Sequence, residues 1–349
     1  MKRSIVFATP EFLPLIDVAK QAEAAGFDRI WTTENPGRDA LIRALTFALH
    51  TKTIGIATGI AYAFTRAPLA LAAAAADLEL ASGGRFSLGI GAGTQGMRSR
   101  WYGISDFDHA ASRLEEYANI LRKAWSSPKV FEHEGRFYSG SYSELDGVRP
   151  SVPIWGSGIN PTMLRISARS CDGVAVHPLG SSIKYLNDII LPAIAEGTKA
   201  IDGAPERASQ LAPELALWRM TSIDSSSELA RDRARRSLAF YFSTPSYAIA
   251  ADETGWGEVA NLVREMYRER GAEWDSISRL IPEEMVDEFC LAGTPEEVLN
   301  MWNGLEISYQ ARGVTEIVFQ TVASGGEAGA TVKNLRSIIE VLGPLKRIQ

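Results

Sequence analysis

Short runs of β-branched and apolar residues alternate with longer, helix-periodic segments along almost the whole chain. The first pair is an apolar run at residues 4–8 and a helical pattern at residues 14–25, with Pro14 at its start and Gly26 directly after its end. Proline in a first turn and glycine after a last turn are start and stop signals of helices. Repeated alternation of this kind is typical of βα units, whose strands lie parallel in one sheet.

The same pattern predicts eight strands and eight helices. The predicted strands are residues 4–8, 29–33, 53–58, 86–90, 152–156, 173–176, 214–221 and 315–321. The predicted helices are residues 14–25, 39–50, 67–81, 110–125, 160–170, 182–196, 226–241 and 331–342. Because each strand leads into a helix, and because the strands are rich in Val, Ile, Leu and Phe, the sequence predicts an α/β fold of the (β/α)8 TIM-barrel class.

A single barrel domain over residues 1–349 accounts for the length of the chain if several loops are long. About 250 residues suffice for a bare barrel. The surplus is assigned to insertions at about residues 92–109, 126–151 and 242–292. Within the second insertion, residues 130–138 predict a small β-hairpin that turns at Glu134 and Gly135.

Composition excludes several classes of protein. Lys and Arg total 36 against 42 for Asp and Glu, a net charge of −6, and nucleic-acid partners are not expected because phosphate binding needs a basic face. The longest apolar stretch, residues 67–76, is interrupted by Pro68 and is too short to span a bilayer, so no membrane segment is expected.

The two cysteines, Cys171 and Cys290, lie far apart in the sequence and fit a reducing compartment. The apolar run at the N-terminus is too short for a signal peptide. Together these features favour a cytoplasmic protein. The His, Cys, Asp and Glu residues do not show metal-ligand spacing, so no metal site is expected.

Residues 91–96 spell G-x-G-x-x-G directly after an apolar strand, which by itself suggests a dinucleotide-binding fold. The context is different, because residues 97–102 do not open an apolar-periodic helix and no acidic residue ends a second strand about 20 positions on.

In a (β/α)8 barrel, the loops that leave the C-terminal ends of the strands form the active site. Glycine in such a loop permits close approach of the backbone to a flat or phosphorylated ligand.

Two strings carry a resemblance to a known family. Residues 57–68 contain A-x-A-F-x-R-x-P and residues 82–93 contain S-G-G-R-F-x-L-G-x-G. With residues 153–158, 171–178 and 293–298, they make the chain similar, over nearly its whole length, to the bacterial luciferase-like monooxygenase superfamily. Within that superfamily it most resembles the actinobacterial oxidoreductases that depend on coenzyme F420, an 8-hydroxy-5-deazaflavin.

The resemblance implies a cofactor site and catalytic residues. A non-proline cis peptide after the third strand supports the ring of the cofactor in this family, and the matching residues are Gly59 and Ile60, followed by Ala61. The family often has Asp-His or Glu-His after the second strand, facing the reactive centre of the ring, where this chain has Glu34 and Asn35. Since Asn cannot take up a proton as His does, the acid is Glu34, with a pKa raised by burial, or a group of the substrate.

Other positions follow from the same resemblance. Thr94 and Gln95 match the residues that contact the pyrimidine edge of the ring. The cofactor phosphate is expected among the loops after the fifth and sixth strands, at Gly156, Ser157, Gly158, His177, Ser181 and Ser182. The expected wall of the substrate site consists of Glu11, Tyr62, Trp101 and Tyr102. The usual dimerisation of the family implies a homodimer.

Three functions stay open at this point. The first is hydride transfer between coenzyme F420 and a small organic substrate, in which the protein supplies orientation and a dry pocket. The second is an FMN-dependent monooxygenase that receives reduced FMN from a partner flavin reductase and uses its insertions to exclude water. The third is a non-catalytic cofactor-binding homologue, which the departure at Asn35 favours.

Overall fold

The computed structural model describes residues 1–104, 108–126, 129–143, 152–199, 212–269, 271–322 and 329–344. Its strands are β1 (Lys2–Phe7), β2 (Arg29–Thr32), β3 (Gly55–Thr58), β4 (Ala61–Tyr62), β5 (Phe86–Gly91), β6 (Phe131–Glu134), β7 (Ser139–Tyr142), β8 (Ile154–Gly158), β9 (Gly173–Val176), β10 (Glu214–Ile223), β11 (Cys290–Gly293) and β12 (Glu316–Thr321). Each predicted strand is present within three residues of its predicted bounds.

The helices alternate with these strands. They are α1 (Pro14–Ala24), α2 (Ala40–His50), α3 (Pro68–Ser82), α4 (Gln95–Trp101), α5 (Ala110–Ser126), α6 (Pro161–Ser170), α7 (Ile183–Tyr185), α8 (Leu191–Lys199), α9 (Ser227–Phe242), α10 (Ala248–Thr254), α11 (Gly257–Arg268), α12 (Trp274–Ser278), α13 (Glu283–Phe289), α14 (Pro295–Gln310) and α15 (Ala330–Leu342). A π-helical turn at Leu186–Ile190 follows α7 directly.

The chain divides into two compact units, which are described separately. The first unit comprises Met1–Asp28, Val176–Leu191 and Leu215–Gln349, and the second comprises Arg29–Ala175 and Pro192–Glu214. A single domain over residues 1–349 therefore stays a prediction.

The strands of the first unit lie in the order β11, β10, β12, β1, with every pair parallel. Their buried side chains include Ile5, Phe7 and Phe319, and Trp302 of α14 packs edge-on against Phe319 with ring centroids 5.0 Å apart. Because the strands are parallel, Phe7, Thr321 and Ile223 end at one edge of the sheet. This edge is the one that carries functional loops in parallel α/β folds.

A long helical excursion begins and ends at the same end of β10. The backbone N–H of Asp224, just after β10, donates to the carbonyl of Gly293, the last residue of β11, and β11 pairs in parallel with the final four residues of β10. Residues 224–289 between these points include α9 to α13. The connection from this edge to the start of β12 is α14, which begins at a capping box of Thr294 and Glu297.

The predicted seventh helix, residues 226–241, is confirmed as α9, which is the first helix of the excursion. The predicted bounds of the third insertion, about residues 242–292, stay a prediction. The helix that returns to the last strand is α14, which the sequence pattern did not predict. The other two insertions, at residues 92–109 and 126–151, lie partly outside the described residues, and the predicted hairpin is confirmed as the antiparallel pair β6 and β7.

The second unit contains the parallel strands β2, β3, β5 and β8 in that order, with β4 beside β5. Trp31 of β2 and Trp155 of β8 are buried and meet edge-on at 5.3 Å, filling the interior as their alternating positions suggest. The alanine-rich helix α3 packs between α2 and α5, where the indole N–H of Trp125 donates to the carbonyl of Ala72. Glu34, Gly59 and Ser157 thus lie at or just beyond the C-terminal ends of these strands.

Candidate active site

Glu34 follows β2, and its carboxylate is buried and hydrogen-bonded at this edge of the second unit. The residue is 7% exposed. Its Oε2 accepts the backbone N–H of Tyr62 at 3.1 Å, and one guanidinium nitrogen of Arg66 lies 3.0 and 2.9 Å from its two oxygens. The side chain is therefore held from two directions, by β4 and by the segment that precedes α3.

Arg66 also binds a second carboxylate. Its other terminal nitrogen lies 2.7 Å from Oδ2 of Asp39. Asp39 is the N-cap of α2, and its Oδ1 accepts the N–H of Ile42 at 2.9 Å. We call Glu34, Arg66 and Asp39 the carboxylate cluster. Its two acids share one cation, so the charges of the three side chains sum to −1 when both acids are ionised.

Burial raises the pKa of Glu34 above its ordinary value, and the hydrogen bond and charge of Arg66 oppose this shift without cancelling it. The negative charge of Asp39 adds to the increase. The prediction that burial raises the pKa of Glu34 is thus supported, because the desolvation of the carboxylate outweighs its ion pair. A pKa raised in this way makes Glu34 a candidate for the group that holds and releases a proton at this edge of the unit.

The peptide bond between Gly59 and Ile60 is cis, as the resemblance implies. It lies between β3 and β4, and Ala61 begins β4. Around it the chain is crowded, since a Cβ atom on Gly91 would collide with the side chain of Ile60 and with the hydroxyl group of Ser157. The structure therefore brings Ile60 and Ser157 together across the last residue of β5, and glycine at position 91 permits this close approach.

The segment after β5 corrects one prediction. Residues 95–101 form the short helix α4, whereas the sequence pattern predicted no helix there. Thr94 is its N-cap and accepts the N–H of Met97 at 3.2 Å, so the Thr94 hydroxyl has a structural partner. Gln95 is exposed in the first turn, while Arg98 is buried and lies over the ring of Phe64 at 5.9 Å. The apolar pattern missed α4 because its one buried residue is an arginine.

Three residues of the predicted substrate wall belong to this unit. Tyr62 and Tyr102 meet edge-on with ring centroids 5.7 Å apart. Burial and the charge of Glu34 both raise the pKa of Tyr102, which puts this phenol within the electrostatic reach of the carboxylate cluster. Trp101, at the end of α4, is 47% exposed. The structure thus groups Tyr62 and Tyr102 with Glu34 and leaves Trp101 at the surface.

Asn35, the departure from the family pattern, is held through its backbone. Its N–H donates to the carbonyl of Arg38 at 3.2 Å, and the N–H of Arg38 donates back at 2.8 Å. The residue is half-buried. This tight turn connects Glu34 to the cap of α2 and thereby fixes the distance between the two acids of the cluster.

His177, at the C-terminal end of β9, lies in the first unit among aromatic side chains. Its ring stacks on Tyr247 at 4.2 Å and meets Tyr241 edge-on at 4.8 Å. The hydroxyl of Tyr241 accepts the side-chain N–H of Gln320, at the end of β12. We call His177, Tyr241 and Tyr247 the aromatic cluster. Burial lowers the pKa of His177 to about 3, so its imidazole is neutral at physiological pH.

The turn after His177 uses its polar groups internally. The N–H of Leu179 donates to Nδ1 of His177, and those of Gly180 and Ser181 donate to carbonyls within the turn. Ser182 donates to Oε1 of Glu288 at 2.6 Å. These groups therefore fit a phosphate less well than the resemblance implies.

The hydroxyl of Ser181, which is also expected near the phosphate, accepts a hydrogen bond from the buried guanidinium of Arg219 at 3.3 Å. In the second unit, Gly156 and Gly158 permit close packing of β8 on α6, because a Cβ atom on either would collide with α6. Asn160 is the N-cap of α6 and accepts the N–H of Met163 at 2.9 Å. Glu11, the predicted wall residue of the first unit, accepts the hydroxyl of Thr9.

Sequence reasoning missed three residues that organise these clusters. Arg66 stands in the A-x-A-F-x-R-x-P string, and its position just after a strand end was the signal that it faces the acid of the neighbouring strand. Tyr241 and Tyr247 had no local signal, because they come from the excursion. Among the described residues, no group of three or more His, Cys, Asp or Glu side chains is arranged to hold a metal ion. The helices of the described ranges include none long and apolar enough to cross a membrane.

The geometry can be compared with known proteins. The profile of the family described as luciferase-like monooxygenase matches residues 6–315. A 5,10-methylenetetrahydromethanopterin reductase of Archaeoglobus fulgidus is 28% identical over 306 residues, covering 86% of this chain and 86% of the relative. An F420-dependent glucose-6-phosphate dehydrogenase of Amycolatopsis mediterranei is 27% identical over 210 residues, covering 55% of this chain and 61% of the relative.

A solved structure confirms the fold class. The coenzyme F420 dependent tetrahydromethanopterin reductase of Methanopyrus kandleri superposes with a TM-score of 0.77 at 20% identity, covering 98% of each chain. The predicted α/β fold of the (β/α)8 TIM-barrel class is thereby confirmed.

Proposed function

Because this chain belongs to the luciferase-like monooxygenase family, we propose that it is an oxidoreductase that transfers a hydride between coenzyme F420 and a small organic substrate. The two curated relatives described above support the reaction type, since one is a reductase and the other an F420-dependent dehydrogenase. The single observation that carries the proposal is the buried carboxyl of Glu34, clamped by Arg66 at the C-terminal end of β2.

The residues around the cis peptide fit a flat, tricyclic ring. We call Gly59, Ile60 and Ala61 the ledge, against which the ring would rest, and Gly91 leaves no side-chain atoms between Ile60 and Ser157. These residues would hold the ring, and Ser157 would offer its hydroxyl to the polar part of the cofactor. When bound, the deazaflavin supplies or accepts the hydride.

Glu34 would handle the proton that accompanies the hydride. Hydride addition to a neutral acceptor leaves a negative charge, which a proton from a carboxylic acid neutralises, and the reverse reaction returns that proton to the carboxylate. A buried carboxyl with a raised pKa suits both directions of the reaction, because its pKa is closer to neutral pH than the pKa of an exposed glutamate. The half-buried Tyr102 and the buried Tyr62 would close the pocket on the substrate side, with Trp101 as a further wall residue.

The description of the family as monooxygenases favours one alternative. In this alternative the chain would bind reduced FMN delivered by a partner flavin reductase, and molecular oxygen would be a substrate. FMN and the deazaflavin share the tricyclic ring and a phosphate, so the same ledge suits both. A non-catalytic homologue would bind either cofactor without turnover.

A parallel titration tests the cofactor. The purified cofactor-free protein would be titrated with coenzyme F420 and with FMN, each oxidised and reduced, and followed by fluorescence, with riboflavin as the control ligand that lacks a phosphate. We expect coenzyme F420 to bind with a Kd of about 1 μM or tighter and FMN at least tenfold more weakly. Preference for reduced FMN would replace the proposal with the monooxygenase. Tight binding of coenzyme F420 without hydride exchange in a screen of alcohols, aldehydes and imines would favour the non-catalytic homologue.

We further propose that the protein is a cytoplasmic homodimer, without a nucleic-acid or membrane partner. The usual dimerisation of the family, the net charge of −6 and the burial of both cysteines support this view. Light scattering of the purified protein would give the mass of the assembly, and a monomer at micromolar concentration would contradict the dimer.

A further inference from the structure

Arg66 contacts two acids that belong to different elements. One terminal nitrogen binds Glu34, after β2, and the other binds Asp39, at the start of α2. The side chain of Glu34 is 5% exposed, against 21% for Arg66 and 43% for Asp39. The cluster therefore runs from the interior to the surface, with the acid proposed to act on the proton at its buried end.

Each member of the cluster is fixed by a second contact. The carbonyl of Arg66 accepts the hydroxyl of Tyr117 at 3.1 Å, and its guanidinium also lies 3.2 Å from the hydroxyl of Thr65. Asp39 is tied to the first turn of α2 through Ile42. Glu34 is tied to β4 through Tyr62. Because the three side chains are anchored independently, we expect a substitution at one of them to change the electrostatic potential at the other two more than it changes their positions.

The two partners of Glu34 act on it with opposite signs. The cation of Arg66 favours the ionised carboxylate, while the negative charge of Asp39 favours the protonated acid. The other titratable groups of this unit whose pKa responds to Glu34 are the phenols of Tyr102 and Tyr117, both of which have a raised pKa and are neutral at pH 7. Among the described residues of this unit, Arg66 and Asp39 are thus the charged side chains that shift the pKa of Glu34.

We propose that Arg66 and Asp39 are positioning residues that tune the protonation of Glu34 in opposite directions: Arg66 orients the carboxylate and stabilises its charge, and Asp39 offsets part of that stabilisation. This inference rests on the proposed function for its purpose, because it assigns a use to the proton affinity of Glu34. Its physical content concerns the cofactor-free protein alone. Asp39 thereby has a role beyond that of a helix cap.

The test measures the protonation of Glu34 directly. Protein labelled with carboxyl-¹³C glutamate would be titrated by NMR without any cofactor, with the Glu34 resonance assigned by its loss in Glu34→Gln. Replacement of Arg66 by Met should raise the titration midpoint by about one pH unit or more. Replacement of Asp39 by Asn should lower it by about half a unit. The Asn side chain keeps the helix cap, since Asn and Asp are about equally good at this position.

Matched controls separate tuning from general damage. Arg122→Met removes another part-buried ion pair of the same unit, between Arg122 and Asp172 at 2.9 Å, and Asp77→Asn removes an exposed acid on α3. Neither should move the Glu34 midpoint. If Arg66→Met does not fold, Arg66→Lys can be used instead. Lysine keeps the positive charge but lacks the planar guanidinium that contacts Glu34 and Asp39 at once. It should raise the midpoint by less than one pH unit.

Two outcomes would overturn the inference: both variants shifting the midpoint in the same direction, or neither shifting it. Opposite shifts would support it. Failure of the proposed function is a separate result, because absence of cofactor binding or of hydride exchange in the wild-type protein leaves the NMR midpoints unaffected. Where turnover is observed, the midpoint of the acid limb of its pH–rate profile should follow the same order as the NMR midpoints. It should be highest in Arg66→Met and lowest in Asp39→Asn.

Discussion

The carboxylate cluster and the aromatic cluster both lie where parallel strands end, yet they manage titratable groups in opposite ways. In the carboxylate cluster a buried acid is kept beside a cation, so that its proton affinity stays adjustable. In the aromatic cluster, a histidine is packed against two tyrosines, and its pKa falls to about 3. The carboxylate cluster thus holds charged side chains, whereas the aromatic cluster keeps its histidine uncharged.

The contrast changes which residue should set the pH dependence of the reaction. A histidine at the end of a barrel strand is the usual first candidate for proton transfer near neutral pH. Here the imidazole of His177 has no charged form to use above a pH of about 3, and its Nδ1 accepts a hydrogen bond from the N–H of Leu179. The proton chemistry is therefore expected at Glu34, while His177 shapes a neutral surface.

The largest effect should come from removing the acid of the carboxylate cluster. Glu34→Gln keeps the size of the side chain but cannot donate a proton, and we expect kcat to fall by about 10²- to 10⁴-fold. Cofactor affinity should change less than about threefold, because the variant leaves the ledge at Gly59 and Ile60 intact. Steady-state kinetics and the fluorescence titration measure the two effects, with Asp77→Asn as the control. Unchanged turnover would remove Glu34 from the mechanism.

The second prediction concerns the stability that the neutral His177 contributes. Because its folded pKa lies below the unfolded value of about 6.5, the unfolded chain takes up a proton first as the pH falls. The contribution is fully present above pH 6.5 and is lost as the pH falls toward 3. Between pH 7 and pH 5 the loss is about 2 kcal/mol.

His177→Phe tests this directly, since phenylalanine keeps the ring and cannot be protonated. Its free energy of unfolding, measured by chemical denaturation, should fall less between pH 7 and pH 5 than that of the wild type, by about 2 kcal/mol. His133→Phe is the control, because the hairpin histidine lies beside Glu116 and not in the aromatic cluster. An equal pH dependence in wild type and His177→Phe would mean that folding leaves the pKa of His177 unchanged, and it would contradict this prediction.

The turn that follows His177 supplies a third prediction. In Ser182→Ala the hydroxyl that donates to Glu288 and caps Tyr185 is lost, and the free energy of unfolding should fall by about 1–2 kcal/mol. Cofactor affinity should stay within about threefold of the wild type, because this hydroxyl is already used inside the protein. A loss of affinity of tenfold or more, with little change in stability, would show instead that Ser182 binds the phosphate, as the resemblance implies.

The comparison also explains how far the sequence predicts this molecule. The alternation of strands and helices predicted the fold class because each βα unit is specified by local periodicity and by caps such as Asp39 and Asn160. The return helix α14 was missed because only three of its 16 residues, Val298, Trp302 and Tyr309, are buried, which leaves a weak apolar pattern. The capping box of Thr294 and Glu297 was the signal that could have found it.

The site was predictable where a residue belongs to a strand end and unpredictable where its partner comes from elsewhere. Glu34 and the cis peptide at Gly59 follow from position and resemblance. The pairing of Arg66 with Glu34 joins residues 32 positions apart, and the packing of Tyr241 on His177 depends on the path of the excursion. Long-range pairs of this kind leave no periodic pattern, so only the folded structure reveals them.

The smallest effect is expected where charge is neither buried nor excluded. On the excursion, Arg231 of α9 binds the carboxylates of Glu283 and Asp287, whose side chains are about half exposed. Arg231→Met should lower the free energy of unfolding by about 1 kcal/mol or less, because exposed pairs gain little over their hydrated ions. The difference from wild type should shrink between about 0.02 M and 0.5 M NaCl in chemical denaturation, since salt screens these charges.

In Arg66→Met the stability loss should change little over the same range, because the buried end of the carboxylate cluster is shielded from salt. Equal salt sensitivity of the two variants would contradict the distinction between a buried, tuned ion pair and a surface one.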